Sequence, residues 1–264
     1  MIMLSRLTKN LNYSIRYYSS VTKFKNIEES FDFKLPPYQP YIIRFDGNSF
    51  KKLTKDLELT KPYDMNFHNA MKDASLSLCN YIKDSKLVYS FSDEINVLVY
   101  SKYPEDPFLS NRIQKLISLT SSIVSTNFSV SLSSSLPNKP VVKAYFDARV
   151  FPIQFNDISE YLYQRQSRCY SNCLNTIIQH ESVNTEFHPQ ENSTKKYLEQ
   201  AKDYIKDQLN IDLQSDRCKY PHYFQKGFIL QRKTTNLKNS EWAINTEPLP
   251  WLDGTYIQNF IKNE

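Results

Sequence analysis

The chain has 264 residues, of which 40% are hydrophobic and 23% charged, with a net charge of +5 and an isoelectric point near 8.8. That balance excludes an intrinsically disordered or low-complexity chain, and no apolar stretch approaches the ~20 residues of a membrane-spanning helix. The mild basicity suits a polyanionic partner.

The first 27 residues carry Arg6, Lys9, Arg16, Lys23 and Lys25 and no acid before Glu28. On a helical wheel Leu4, Leu7, Leu11 and Ile15 share one face and the basic residues project elsewhere. A basic amphipathic segment without carboxylates predicts a mitochondrial targeting segment over residues 1–27, cut after Tyr18 in Arg16-Tyr17-Tyr18-Ser19. An ordinary basic terminal arm is the alternative. A catalytic domain with a C-terminal extension is expected over residues 28–264.

Residues 40–46 read as a strand from their β-branched and aromatic content. From Met65 to Ile82 the apolar residues Phe67, Ala70, Met71, Ala74, Leu78, Tyr81 and Ile82 recur at helical spacing. Strands follow at Leu87–Phe91 and Ile95–Tyr100, then a helix at Leu109–Phe128. After a loop at Pro137–Pro140, Val141–Val150 reads as a strand. Asp157 is expected to cap a helix running to about Gln179, with Glu160 completing a capping box. A polar loop over His180–Ser193, a helix over Lys195–Leu209 and a late strand over Gly227–Arg232 close the series. The order β-α-β-β-α-β predicts an α+β fold. It is a split βαβ (ferredoxin-like) antiparallel sheet with helices on one face and a C-terminal helical extension.

Four cysteines, Cys79, Cys169, Cys173 and Cys218, form no CxxC pair, and no histidine lies at zinc-finger spacing from them. Cys169 and Cys173 are four apart on a predicted helix, yet reduced thiols are the favoured reading.

Only three glycines occur in the chain, and Gly47 directly follows Asp46 at the end of the first predicted strand. Ser92-Asp93-Glu94 sits between the next two strands. Brought side by side, Asp46 and Asp93 would bridge two magnesium ions. One ion would activate an attacking hydroxyl and the other would stabilise a departing pyrophosphate. Gly47 would offer its carbonyl as a ligand and let a triphosphate approach closely. Loop amides from Asn48 through Ser49 and Phe50 to Lys51 would cradle phosphate oxygens. Ser92 would hydrogen-bond the nucleotide, and Glu94 would orient waters or supplement the metal shell. Lys51, Lys61, and the Arg112–Lys115 pair on one helix face add positive charge for a triphosphate or a tRNA backbone. Arg165, Gln166 and Arg168 on a later helix have the same choice. No Walker A, GxSxG, HExxH or GxGxxG pattern competes.

These segments together resemble the tRNA-histidine guanylyltransferase superfamily. The resemblance rests on IIRFDGNSF, TKPYD, YSFSDEINVLV, NRIQK, AYFDARVFPI, the EYLYQRQ helix with Asn172, Leu174 and Asn175, and FQKGFILQRK. It runs from about Tyr41 to Lys233. It implies a polymerase-like palm and addition of nucleotides to tRNA 5′ ends in the 3′-to-5′ direction. Two metals would fall on Asp46, the Gly47 carbonyl and Asp93, with Glu94 beside them. Nucleotide contacts would run through Asp46 to Lys51 and Ser92-Asp93, and Lys61, Arg112 and Lys115 would grip triphosphates. Arg165, Gln166 and Asn172 become candidates for tRNA contact. ATP and GTP or other nucleoside triphosphates would be substrates, and a homotetramer built as a dimer of dimers is implied. Where the histidine-tRNA enzymes carry HINNLYN, this chain reads Cys169-Tyr170-Ser171-Asn172-Cys173-Leu174-Asn175, with Tyr170 nearest the family's histidine. That departure resembles the guanylyltransferase-like branch, which extends 5′-truncated tRNAs by copying the opposite strand, and for this chain mitochondrial tRNA 5′ editing or repair is the expectation. Addition of the extra G to tRNAHis, a non-catalytic tRNA-binding protein and a nucleotidyl cyclase remain the alternatives.

Overall fold

The structure is a computed structural model and describes residues 22–101, 105–182, 187, 194–215, 217–236 and 239–245. Most of the expected targeting segment, residues 1–21, lies outside the described residues, and so does the C-terminal stretch 246–264.

A helix, α1, covers residues 22–30. There follow β1 (Tyr41–Gly47), α2 (Phe50–Asp56), α3 (Met65–Tyr81), β2 (Ser85–Phe91), β3 (Glu94–Val99), α4 (Ile113–Ser135), β4 (Phe146–Pro152) and α5 (Ile158–Glu181). Then come α6 (Thr194–Asp207), α7 (His222–Lys226), β5 (Phe228–Asn236) and β6 (Asn239–Asn245). The strands form one sheet in the order β4-β1-β3-β2-β5-β6, antiparallel at every pairing. Its first four members have the split βαβ arrangement expected from the element order. β5 and β6 extend the β2 edge; β6, α2 and α7 have no counterpart among the predicted elements.

Alternation along the strands assigns each residue to a face. Ile43, Phe45, Val88, Val97 and Leu230 face α3 and α4, where Met71, Leu78, Val124, Phe128 and Leu132 complete the larger core. Ile42, Leu87, Tyr89, Leu98 and Ile229 face the other way, onto Ile158, Leu162 and Cys169 of α5. The two palm helices thus share one face, and the first helix of the C-terminal extension covers the other. Cys173, Leu174 and Ile177 on the far side of α5 pack against Ala201 and Ile205 of α6.

Local chemistry sets the boundaries. Asp64 caps α3, accepting hydrogen bonds from the Asn66 and Phe67 amides at 2.8 and 3.2 Å. Asp157 does not build the expected capping box. It sits in right-handed helical conformation after a 3-10 turn, so its side chain makes no cap, and Glu160 turns to Gln164 instead. Helix α4 runs seven residues beyond the predicted end at Phe128, because Leu132 continues its buried stripe.

Strand β4 begins at Phe146 rather than Val141 for a related reason. The amides of Val142, Ala144 and Phe146 donate to the hydroxyls of Ser133, Ser129 and Ser125 at 2.9, 3.0 and 3.0 Å. Seryl side chains of α4 take the place of a neighbouring strand, so the segment is extended before it joins the sheet.

Candidate active site

The end of β1 meets the β2–β3 hairpin. Asp46 lies opposite Glu94 in the β1–β3 register, and the Gly47 amide donates to the Asp93 carbonyl at 3.1 Å. Phe91 pairs with Glu94, which leaves Ser92 and Asp93 as a two-residue turn. Ser92 takes φ +49°, and Ser49, just past β1, takes φ +59°. Two non-glycine residues in the left-handed region therefore flank the two carboxylates. Such backbone strain persists only where the surroundings over-determine it.

The electrostatics of the pair are unfavourable without a cation. Burial, then the neighbouring Asp46 and Glu94 carboxylates, push the Asp93 carboxyl above its usual range. Hydrogen bonds from its own amide and from Ser92, 3.1 Å away, pull the other way. Among the described residues no three His, Cys, Asp or Glu side chains converge on a preformed metal cage. Two carboxylates and a backbone carbonyl are instead the sparse set that suits magnesium, which keeps waters and completes its shell with substrate phosphates. The donor set fits.

Gly47 is required for a reason the sequence does not display. A Cβ there would come within 2.6 Å of the Phe50 ring. That ring is buried and packs against Phe67, Phe128 and Phe146 with centroids 5.9, 5.2 and 4.8 Å away. Phe50 thus anchors the loop from below. The Asn48 amide is already taken by the Tyr145 carbonyl at 2.8 Å, and Ser49 Oγ donates to Asn48 Oδ1. The expected cradle reduces to the Ser49, Phe50 and Lys51 amides at the start of α2, where helix geometry leaves N–H groups without intrahelical partners.

A cavity of about 670 Å³ opens beside Asp93 and Ser92. Lys51, Lys55 and Lys61 lie on its α2 side, and Asn172, Thr176 and His180 on its α5 side. Lys61 Nζ donates to Thr54 Oγ1 at 3.1 Å. Tyr63, His68 and Tyr223 give the cavity an aromatic wall, with the His68 and Tyr223 rings stacked at 3.8 Å. Burial, and secondarily Lys72, push the His68 imidazole down to about 4, so it is neutral at physiological pH. Lys55, His68 and Tyr223 were not anticipated; they carry no motif and reach the cavity only through the fold.

The structure separates other predicted residues from this centre. Arg112 and Lys115 sit at the start of α4, beyond the far end of β3, so a six-residue strand, roughly 20 Å, lies between them and Asp93. Arg112 Nε pairs with Asp32 Oδ1 at 2.7 Å. Arg165 is turned inward against Glu94, with its side chain 12% exposed, rather than presented to solvent. Gln166 is half-buried, and Asn172 is exposed at the cavity rim. Asp147, in the FDAR segment, lies directly opposite Asp46 on the β4 side. Asp147, Asp46 and Glu94 thus form a row across three strands, which the strand registers reveal and the sequence alone does not.

Residues 21–154, just over half of the chain, match the sequence profile of the Thg1 family, tRNAHis guanylyltransferase. An uncharacterized protein of Acanthamoeba polyphaga mimivirus, R259, is 28% identical over 247 residues, covering 83% of this chain and 80% of the viral protein. The tRNA(His) guanylyltransferase of Debaryomyces hansenii is 30% identical over 138 residues, 50% of this chain and 51% of the yeast enzyme. This chain thus aligns with about half the length of that enzyme. A bacterial tRNA(His) guanylyltransferase (Thg1)-like protein in complex with ATP superposes with a TM-score of 0.76 at 24% identity, over 92% of this chain and 99% of that one. The tRNA(His) guanylyltransferase of Saccharomyces cerevisiae superposes with a TM-score of 0.63 at 23% identity, over 85% and 97% of the two chains. Both superpositions cover more of the chain than the profile match does. By that match, and in agreement with the fold, the chain belongs to the Thg1 family of tRNAHis guanylyltransferases.

Proposed function

We propose that the protein is a magnesium-dependent nucleotidyltransferase that adds nucleotides to tRNA 5′ ends in the 3′-to-5′ direction, in mitochondrial tRNA 5′ editing or repair. The observation that carries this reading is the meeting of Asp46 and Asp93 at the β1 end and the β2–β3 turn, tied by the Gly47-to-Asp93 backbone bond. Asp46, Asp93 and the Gly47 carbonyl would hold two magnesium ions. When bound, the ions would supply activation of the incoming nucleotide's attacking 3′-hydroxyl and neutralisation of the group that leaves the tRNA 5′ phosphate, AMP from an adenylylated end or pyrophosphate from a triphosphorylated one. Lys51 and Lys61 reach the cavity from α2 and the following loop, placed for the phosphates of a nucleoside triphosphate, ATP or GTP. Asn172 offers the α5 rim to the tRNA. Asp46 and Asp93 keep the strand ends negative, so phosphates would bind there through a cation. A homotetramer built as a dimer of dimers belongs to the same proposal.

Addition of a single G to tRNAHis is the second reading, and the names of the relatives favour it. Against it stands the departure around Tyr170. This ring does not line the cavity; it packs toward α6, with Lys202 Nζ 5.1 Å from its centroid.

The test is nucleotide addition to full-length and 5′-truncated tRNAs carrying each possible base opposite the gap. Templated addition is expected; G added whatever the facing base would favour the tRNAHis reading. Asp46→Ala and Asp93→Ala are each expected to abolish incorporation while the circular dichroism spectrum is unchanged. Full activity in either variant would remove the metal-site assignment.

A further inference from the structure

Glu94 follows Asp93 directly and is buried on the α5 side of the sheet. Its neighbours are polar. Asn96 Nδ2 donates to Glu94 Oε1 at 2.9 Å, and the Tyr161 hydroxyl donates to Asn96 Oδ1 at 2.6 Å. Arg165 Nη1 lies 3.4 Å from Glu94 Oε2 and 3.5 Å from Oε1, with its guanidinium 6.0 Å from the Tyr161 ring centroid. Arg44 stands on the same strand face two residues before Asp46. Among the described residues its buried Nε finds no hydrogen-bond partner, and its charge acts on the Tyr161 hydroxyl.

The charge arrangement has a consequence for the cation site. A buried carboxylate left without a counter-charge is strongly disfavoured, and beside a divalent ion it is drawn in as a ligand. Here the counter-charge arrives from α5, in a residue type that forms planar, always-charged carboxylate pairs. Among the described residues neither Asp46 nor Asp93 forms an ion pair with a Lys, Arg or His.

We infer that Arg165 is a positioning residue that neutralises Glu94 and holds it against Asn96, so that Glu94 adds no net charge to the cation site formed by Asp46 and Asp93. The inference rests on the reading of Asp46 and Asp93 as the cation-binding pair. Glu94 is then a spacer under the hairpin and not a metal ligand, and α5 controls the ligand count through one guanidinium.

The experiment measures Mn2+ affinity by calorimetry on the full-length protein, with the rate of nucleotide addition measured in parallel. It compares the wild type with Arg165→Met, Arg165→Lys, Glu94→Gln and the Glu94→Gln/Arg165→Met double variant. Arg165→Met is expected to tighten Mn2+ binding about tenfold, because it frees a negative charge beside the ion. It should at the same time slow turnover about tenfold or more, because the freed carboxylate misplaces the ion. Arg165→Lys keeps the charge and should stay near the wild type in Mn2+ affinity. Glu94→Gln should loosen Mn2+ about tenfold, and the double variant should return near the wild-type affinity and turn over faster than Arg165→Met. Unchanged or weaker Mn2+ binding in Arg165→Met, or a double variant no faster than Arg165→Met, would overturn the inference. A purely structural role weakens binding and rate together and cannot tighten one while slowing the other. Should Arg165→Met fail to fold, the step from Glu94→Gln to the double variant carries the same comparison, and no rise in Mn2+ affinity overturns it. A wild type that binds Mn2+ but adds nothing to any tRNA overturns the proposed function and leaves the Mn2+ comparison standing.

Discussion

The two faces of the sheet are built on different principles. Against α3 and α4 the strands present Ile43, Phe45, Val97 and Leu230, closed by fully buried Phe128 and Leu132. Against α5 they present Arg44, Asp46, Glu94 and Asn96 beside Ile42 and Leu98. Apolar burial is non-directional and tolerates repacking, whereas each buried polar group must find its own partner. The first face therefore holds the fold together, and the second trades stability for a placed set of charges. The residues implicated in catalysis lie on or beside the second face.

The sharpest way to break that contrast is at Asp93. Asp93→Asn is expected to lower nucleotide addition on the order of a thousandfold or more. Because the Asp93 carboxyl is raised above its usual range, its ionised form destabilises the metal-free fold at neutral pH, and that cost disappears as pH falls. The same variant should therefore melt higher than the wild type without metal. Magnesium should raise the melting temperature of the wild type and leave that of Asp93→Asn unmoved. A metal-free variant melting below the wild type would contradict the charge argument.

On the apolar face the expectation reverses. Phe128→Ala removes a fully buried ring and should cost about 3–5 kcal/mol of unfolding free energy in denaturant titrations. Turnover per folded molecule should fall far less than in Asp93→Asn, because Phe67 and Phe146 still hold Phe50 beneath the loop. A variant that unfolds with wild-type midpoint would show that the larger core is not centred there.

A smaller effect separates the cavity wall from both. The His68 imidazole titrates near 4 instead of 6.5, so as pH falls through that interval the unfolded chain binds a proton before the folded one does. Stability contributed by neutral His68 is present above pH 6.5 and is lost toward pH 4. The fall in melting temperature over that range should be shallower in His68→Phe. Parallel curves would place the acid sensitivity elsewhere.

Smallest of all, Ser129→Ala leaves the Ala144 amide without its hydroxyl partner and should cost about 1–2 kcal/mol. Its check is the denaturation midpoint, with loss no larger than that of a surface substitution counting against the ladder.

Much of this was legible in the residues. The helical stripe of α3, the hairpin around Ser92-Asp93 and the pairing of Asp46 with the hairpin followed from periodicity, turn residues and motif. The short helix α2 escaped because Lys51, Lys52 and Lys55 interrupt any apolar stripe over seven residues, and only buried Phe50 and half-buried Leu53 fix it to the core among the described residues. β4 was predicted five residues too early because Val141–Tyr145 has strand composition, and only the seryl partners on α4 show that it lies outside the sheet. Arg165 could not be placed from sequence, since a basic helix residue reads alike whether it meets a phosphate or a buried glutamate. Its ion pair with Glu94 is a contact between residues 71 apart. Arg112 misled for the same reason, its partner Asp32 being 80 residues away.

The three serine rungs on α4 also act as a ruler. Four helical residues advance about 6.0 Å, and two extended residues advance about 6.6 Å, so hydroxyls and amides drift out of phase by roughly half an ångström per rung. Three rungs are near the limit of such a match. The third delivers Phe146 opposite Gly47, one residue before Asp147 reaches its place across from Asp46. Inserting or deleting one residue between Ser133 and Val142 would then be absorbed in that turn, whereas the same change between Ser125 and Ser129 would slide the β4 register along β1.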